Sequence, residues 1–199
     1  MSATIFFEGG GSTESTQSKC REGLSQYCAK LRPHESRLKI VAAGGRERAF
    51  DKFRIAALNS REGEVSVLLV DSESPVTATT PIEHLHARDG WNFTGLLNHR
   101  VFLMVQAMEA WFLADRAALA AFYDGGFLAN SLPGSPTNIE AVPKNDLEPK
   151  LIHATRPAKT KDEYHKTKHG FELLGKIDPA KVGDASPHAK QFNEFLRGL

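Results

Sequence analysis

Thr4-Ile5-Phe6-Phe7-Glu8-Gly9-Gly10-Gly11-Ser12 reads as a short buried strand that hands one carboxylate to a glycine turn, with a helix just beyond. A second apolar run, Val65 to Val70, ends in Asp71-Ser72-Glu73 in the same manner. Two buried strands that each release acids at their carboxyl ends are how open α/β sheets build a site. Here the site is expected to be acidic, which points to a divalent cation and phosphate chemistry.

Working outward, Cys20, Leu24, Tyr27 and Leu31 repeat at helical spacing, so a first helix is expected from Ser12 or Thr13 to Pro33. Leu38–Ala42 is a second strand, and Glu47 to Asn59 a second helix behind Gly44-Gly45-Arg46. The nearly unbroken apolar run of Glu64–Val70 fits a strand covered on both faces. The order β-α-β-α-β predicts a wound, mostly parallel sheet flanked by helices. A proline-led helix over Pro81–Arg88, a strand over Val101–Val105 and a helix over Met108–Leu119 follow. Beyond Tyr123-Asp124-Gly125-Gly126 the composition turns to Pro, Ser, Asn and Gly, then to a net basic stretch from Lys144 to His169. Two closing helices, Phe171–Ile177 and Pro187–Leu196, are expected around Asp178-Pro179. The organisation expected is an α/β core over 1–125 and a helical, basic elaboration over 126–199 packed on it.

The 199 residues are 41% hydrophobic and 25% charged, with formal net charge +1, ordinary values for a soluble globular protein. No apolar run approaches the roughly 20 residues of a membrane span, and Met1-Ser2-Ala3 leads straight into the first strand, so a cytoplasmic location is expected. Cys20 and Cys28 lie about 12 Å apart along one helix, too far for a disulfide.

Among the acids, Asp71 and Glu73 are two apart and share a face if the backbone is extended. If Glu8 sits on a neighbouring strand, three carboxylates converge, and such a cluster must bind a cation, take up a proton or splay into water. Two unit charges 4 Å apart repel by about 4 kcal/mol at an effective dielectric of 20. Oxygen-rich sites of this kind suit Mg²⁺ or Mn²⁺; the plainer alternative is that these acids solvate loops or cap helices. The lysine of a phosphate-binding loop is absent after Gly9-Gly10-Gly11, so ATP hydrolysis by this chain is not expected. Gly10 and Gly11 are instead candidates for a close backbone approach to a phosphate or metal. Glu109, between Met and Ala near a helix start, is either a fourth acid of the site or a helix-terminus charge. Asp115 falls on another face and reads as a surface or capping acid. Arg46 opens a helix and can reach a phosphate, or form a surface ion pair. His165 and His169 stand at i, i+4 without a third zinc ligand; with Lys161, Lys166 and Lys168 nearby they suit a basic rim around a polynucleotide, or simply a solvated face.

The pairing of Glu8-Gly9 with Asp71-Ser72-Glu73 resembles the Toprim domain of topoisomerases, primases and phage-defence nucleases, although Glu73 stands where that domain usually has an Asp. More closely, the chain resembles a bacterial Toprim-like family, domain of unknown function 4276. That likeness rests on Phe7-Glu8-Gly9-Gly10-Gly11, Gly44-Gly45-Arg46, Leu69-Val70-Asp71-Ser72-Glu73, His84-Leu85-x-x-Arg88-Asp89, Gln106-Ala107-Met108-Glu109-Ala110-Trp111-Phe112 and Tyr164-His165-Lys166. The Toprim resemblance implies a Rossmann-like fold and a metal-dependent nuclease acting on DNA or RNA. Glu8 would be the general base or acid or a metal ligand, and Asp71 and Glu73 would hold the cation. Glu109 would join them, and Arg46, Lys144, His165 and Lys166 would contact phosphates. A separate ATPase partner, as in phage-defence systems, is a further implication. The rival expectations are a non-catalytic metal- or partner-binding module and a small-molecule phosphohydrolase on the same scaffold.

Overall fold

The computed structural model describes residues 2–32, 38–97, 99–133 and 137–199; the expected helix stop at Pro33 lies outside them. The first half alternates strictly: β1 (Ser2–Phe7), α1 (Glu14–Ala29), β2 (Leu38–Ala42), α2 (Arg46–Leu58), β3 (Glu64–Asp71), α3 (Pro81–Asp89) and β4 (His99–Met104). The strands pair in the order β2-β1-β3-β4, all parallel. The fold is therefore the α/β, Rossmann-like arrangement that the strand spacing predicts.

Side-chain alternation explains why the central strands are apolar throughout. Ile5, Phe7, Val67 and Leu69 belong to one core, with α1 and the C-terminal helices. Phe6, Leu68 and Val70 belong to a second, with Phe50 and Phe53 of α2 and Leu85 of α3. With α1 on one face and α2 and α3 on the other, the chain winds outward in both directions from the β1–β3 pair. Strand order reverses there, and the crevice at the carboxyl ends of those two strands is where such sheets bind ligands.

Local chemistry sets the helix limits. Thr13 caps α1 by accepting from the Thr16 N–H, as its sequence suggests. Thr80 and Glu83 close a capping box on α3, and Gly90 ends it in the left-handed region. The helix expected over Met108–Leu119 is two: α4 (Met108–Ala114) and α5 (Arg116–Tyr123). Asp115 leaves helical geometry between them and caps α5 by accepting from the Ala118 N–H. Asp115 is buried rather than on the surface, and it also accepts from the Asp178 N–H and pairs with Lys181 at 2.6 Å. Burial alone would raise its pKa, but Lys181 and these N–H groups prevail and hold it below the usual carboxylate range.

The chain beyond Asp124 supplies α6 (Lys144–Thr155), α7 (Phe171–Lys176), α8 (Pro179–Ala185) and α9 (Pro187–Arg197). The break read at Asp178-Pro179 is the start of α8, capped by Asp178. Residues of α6 to α9 share the apolar core that covers the α1 face of the sheet. Tyr27 of α1 stacks on Trp111 of α4 at 5.1 Å and donates its hydroxyl to Asn193 Oδ1 of α9 at 3.0 Å. No helix among the described residues is long and apolar enough to cross a membrane.

Helices α1 and α7 meet at Gly23, where a Cβ would stand 2.0 Å from the Phe171 carbonyl oxygen. Alanine normally improves a helix over glycine by roughly 0.5–1 kcal/mol. Here Gly23→Ala is expected to destabilise by about 1–3 kcal/mol through overpacking, whereas Gly125→Ala, with nothing within 4 Å, changes stability by less than about 0.5 kcal/mol. Urea denaturation of the two variants checks the contrast.

Candidate metal centre

Glu8 and Asp71 flank the β1–β3 crevice because each is carried at the carboxyl end of its strand. The Glu8 N–H continues the ladder to the Leu69 carbonyl at 3.1 Å, and Glu8 Oε2 accepts from the Asp71 N–H at 3.3 Å. Glu73 joins them from the turn that follows β3. Each of the three acids offers a carboxylate oxygen, and these oxygens lie within 4.8 Å of one another. The convergence is as expected, but its cause is different for Glu73. Its φ of 68° is left-handed, not extended, so the turn rather than strand alternation aims it. That conformation costs a non-glycine residue about 1–2 kcal/mol. The turn is held by Glu73 N–H to the Gln106 carbonyl at 2.8 Å, and by His84 Nε2 paired with the Ser72 carbonyl at 2.9 Å.

Cations from four different elements bracket the acids. Arg46 donates to Glu8 Oε2 at 3.1 Å, to the Asp71 carbonyl at 2.5 Å and, through Nε and Nη2, to both oxygens of Asp89 at 3.0 and 2.7 Å. Its guanidinium also lies 4.9 Å over the Trp91 ring. This part-buried bracket, rather than the surface ion pair of the plain reading, is where Arg46 stands, and its donors are already engaged. Glu73 pairs with Lys144 at the start of α6 and with Arg88 at 3.6 Å. Asp71, buried, accepts from the Met108 N–H at 2.8 Å.

Glu109, 2% exposed, takes a hydrogen bond from the Tyr164 hydroxyl at 3.2 Å and pairs with Lys166 at 3.0 Å, both on Oε1. Its Oε2 is buried without a hydrogen-bond partner among the described residues. Glu109 is close enough to Asp71 for its charge to disfavour ionisation there. It is buried, and it stands in the first turn of α4, where an acid also suits the helix N-terminus. Tyr164, Arg88, Asp89 and Gln106 support the site without having been singled out for chemistry in the sequence. They stand in the motifs that carry the family resemblance, which was the available signal.

One expectation changes. His165 and His169 do not share an α-helical face: Lys166–Gly170 is a π-type turn. His169 is buried, with Tyr123 Oη 3.1 Å from its Nδ1, while His165 is exposed beside Thr167. Gly9 and Gly10 are set by close packing, while Gly11 is exposed with no tight neighbour. A Cβ at Gly10 would stand 2.8 Å from Gln17 Cα, and its φ is 88°. Gly9 and Gly44 exchange two hydrogen bonds at 2.9 Å that tie the ends of β1 and β2 together. The carbonyls of Gly10 and Gly11 accept from Thr16 Oγ1 and Gln17 Nε2.

Electrostatics follow from this crowding. Burial, then Glu8 and Glu109, push the Asp71 carboxyl well above the usual range despite Lys166 and Lys144. Burial and Glu73 also raise Glu8, against the pull of Arg46. Lys166 is raised, because Glu109 and Asp71 outweigh its desolvation. The donor set is hard and made of carboxylate oxygens, and Asp71 has no direct ion pair among the described residues, which fits a divalent cation of the Mg²⁺ or Mn²⁺ class.

A family model described as Domain of unknown function (DUF4276) matches residues 7–197. No curated protein and no solved structure matches the chain.

Carboxyls raised in the folded state bind protons more tightly there than in the unfolded chain. Their stabilising contribution is complete below the unfolded carboxyl pKa and is lost as pH rises through the folded value. Metal-free protein should therefore lose stability from pH 4 upward on account of Asp71 and Glu8. Asp71→Asn, which keeps an oxygen for the Met108 N–H, should flatten that decline and stabilise the metal-free protein near pH 7.5 by on the order of 1 kcal/mol. Denaturation in chelator across pH 4–8 measures both.

Proposed function

We propose, for a chain that belongs to the DUF4276 family, a divalent-metal-dependent phosphodiesterase that hydrolyses DNA or RNA. The observation that carries this reading is the convergence of Glu8, Asp71 and Glu73 at the strand-order reversal, with Glu109 behind them. Glu8, Asp71 and Glu73 would hold the ion, with Glu109 completing the negative charge around it. A cation bound there supplies charge neutralisation to a phosphate and a more acidic water.

The remaining roles belong to the chain's own groups. Lys144, Lys166 and Arg88 can turn from carboxylates to the non-bridging oxygens of a phosphodiester, since each reaches the acids from a partly exposed stem. Arg46, clamped by Asp89 and stacked on Trp91, cannot turn in this way. It fixes the Glu8 carboxylate across the crevice and so acts as a positioning residue. The raised Glu8 carboxyl suits proton exchange with an attacking water or a leaving oxygen. Tyr164 orients Glu109 through its hydroxyl. An ATPase partner enters this proposal only through the Toprim resemblance.

Labelled single- and double-stranded DNA and RNA should be cut in Mg²⁺ or Mn²⁺, and Asp71→Asn should lower the rate at least about 100-fold, beyond the 10–100-fold typical of residues that merely support a metal site. No cutting and no metal uptake by folded protein in calorimetry would overturn the reading. Turnover of free nucleotides with none of polynucleotides would replace it with a small-molecule phosphohydrolase. Metal uptake with no turnover of either would favour the binding-module alternative.

Arg46→Lys keeps the charge but loses the two-pronged grip on Asp89 and the guanidinium stack. It should reduce the rate about 10-fold and shift the acidic limb of the pH–rate profile, because Glu8 is no longer held in one geometry. A merely structural role would leave that limb in place.

A further inference from the structure

An open cleft of about 800 Å³ is lined by Lys19 of α1 and by Arg156, Lys159, Lys161 and Lys168 of the segment joining α6 to α7. Three acids, Asp162, Glu163 and Glu172, share its walls, but each has a cation of its own. Asp162 pairs with Lys168, Glu163 with Arg156 at 3.0 Å and Glu172 with Lys176 at 3.6 Å. Lys19, Lys159 and Lys161 have no carboxylate partner within 4 Å among the described residues; Lys161 instead lies 4.2 Å over the Phe122 ring. In a chain of net charge +1, this is a local concentration of unneutralised positive charge. A second hollow shares Lys19 and Lys168 but carries Glu22 and Glu172 on its walls, so the surplus stays with the first.

Two of its lysines stand close in sequence to residues that reach the acidic centre. Lys168 is two residues past Lys166, whose ammonium is on Glu109. Lys19 precedes Cys20, which packs together with Phe171 beneath Gly9, the residue that follows Glu8. Exposed lysines with mobile stems read backbone charge, not base identity. The basic rim expected around His165 and His169 included Lys161 and Lys168, which line the cleft; Lys19 and Lys159 are added by the fold.

We infer that this cleft holds the sugar-phosphate backbone of a polynucleotide strand leading into the acidic centre, with Lys19, Lys159 and Lys161 as its principal contacts. The inference rests on the phosphodiesterase reading and names the path of its substrate. Binding there is sequence-independent and falls steeply with salt.

The test is fluorescence anisotropy of labelled single-stranded DNA and RNA oligonucleotides, in EDTA and again in Ca²⁺, against wild type and Lys19→Gln/Lys159→Gln. Both lysines are exposed, so the variant should fold, and calorimetric metal uptake should match wild type because neither touches the acids. The expected result is affinity lowered about 10-fold at low salt, with the slope of log K against log salt reduced by about 1.4, the share of two single-strand phosphate contacts. Unchanged affinity and slope in the variant, with wild type binding well, would overturn the cleft assignment and leave the phosphodiesterase reading standing. Poly-glutamate binding wild type as tightly as the oligonucleotide would give the cleft to an acidic polypeptide instead. Failure of wild type to bind any oligonucleotide in either condition would remove both.

Discussion

Mutual repulsion among carboxylates is the constraint around which this molecule is arranged. The wound sheet delivers Glu8 and Asp71 to adjacent strand ends, the turn after β3 adds Glu73, and α4 adds Glu109 from behind. At such separations each pair of ionised acids costs several kcal/mol unless something answers it. The answers come from separate parts of the chain: Arg46 from the start of α2, Arg88 from α3, Lys144 from α6 and Lys166 from the turn before α7. Asp71 is served by the Met108 backbone N–H and by no direct ion pair among the described residues. A further cation there would meet the one carboxylate of the four that no side-chain cation touches directly among the described residues.

This arrangement explains why the C-terminal helices pack as they do. Lys144 and Lys166 are both contributed by chain beyond residue 126, and Tyr164 reaches Glu109 from the same region. The close approach of α1 and α7 at Gly23 holds the 166–170 turn near the glycine run. Asp115, Lys181 and Asp178 link α5 to α8. A break in these distant contacts should therefore be felt at the acids even though the strands that carry them remain intact.

The sheet was legible in the sequence because buried parallel strands leave continuous apolar runs, and the acids at their ends could be placed by that register alone. Glu8 and Asp71 follow directly from this logic. Glu73 was found for a partly wrong reason, since nothing in Asp71-Ser72-Glu73 announces a left-handed glutamate. The interruption at Asp115 was hidden because Met108–Leu119 is apolar at helical spacing, and only tertiary partners at Asp178 and Lys181 decide it. Helix α8 is short and was absorbed into the Asp178-Pro179 break. The burial of His169 against Tyr123, and the pairing of Lys166 with Glu109, join residues 46 and 57 positions apart. No local period encodes such contacts.

Whether these carboxylates hold a metal ion is the decisive question for this molecule. Crystals grown with Mn²⁺ and measured for anomalous scattering would locate it. The account predicts one strong peak among the carboxylate oxygens of Glu8, Asp71 and Glu73, with Lys144 displaced from Glu73. Crystals with no peak at these acids, and with the Glu73–Lys144 and Glu109–Lys166 pairs intact at millimolar Mn²⁺, would contradict it and leave the acids as a self-neutralised structural network.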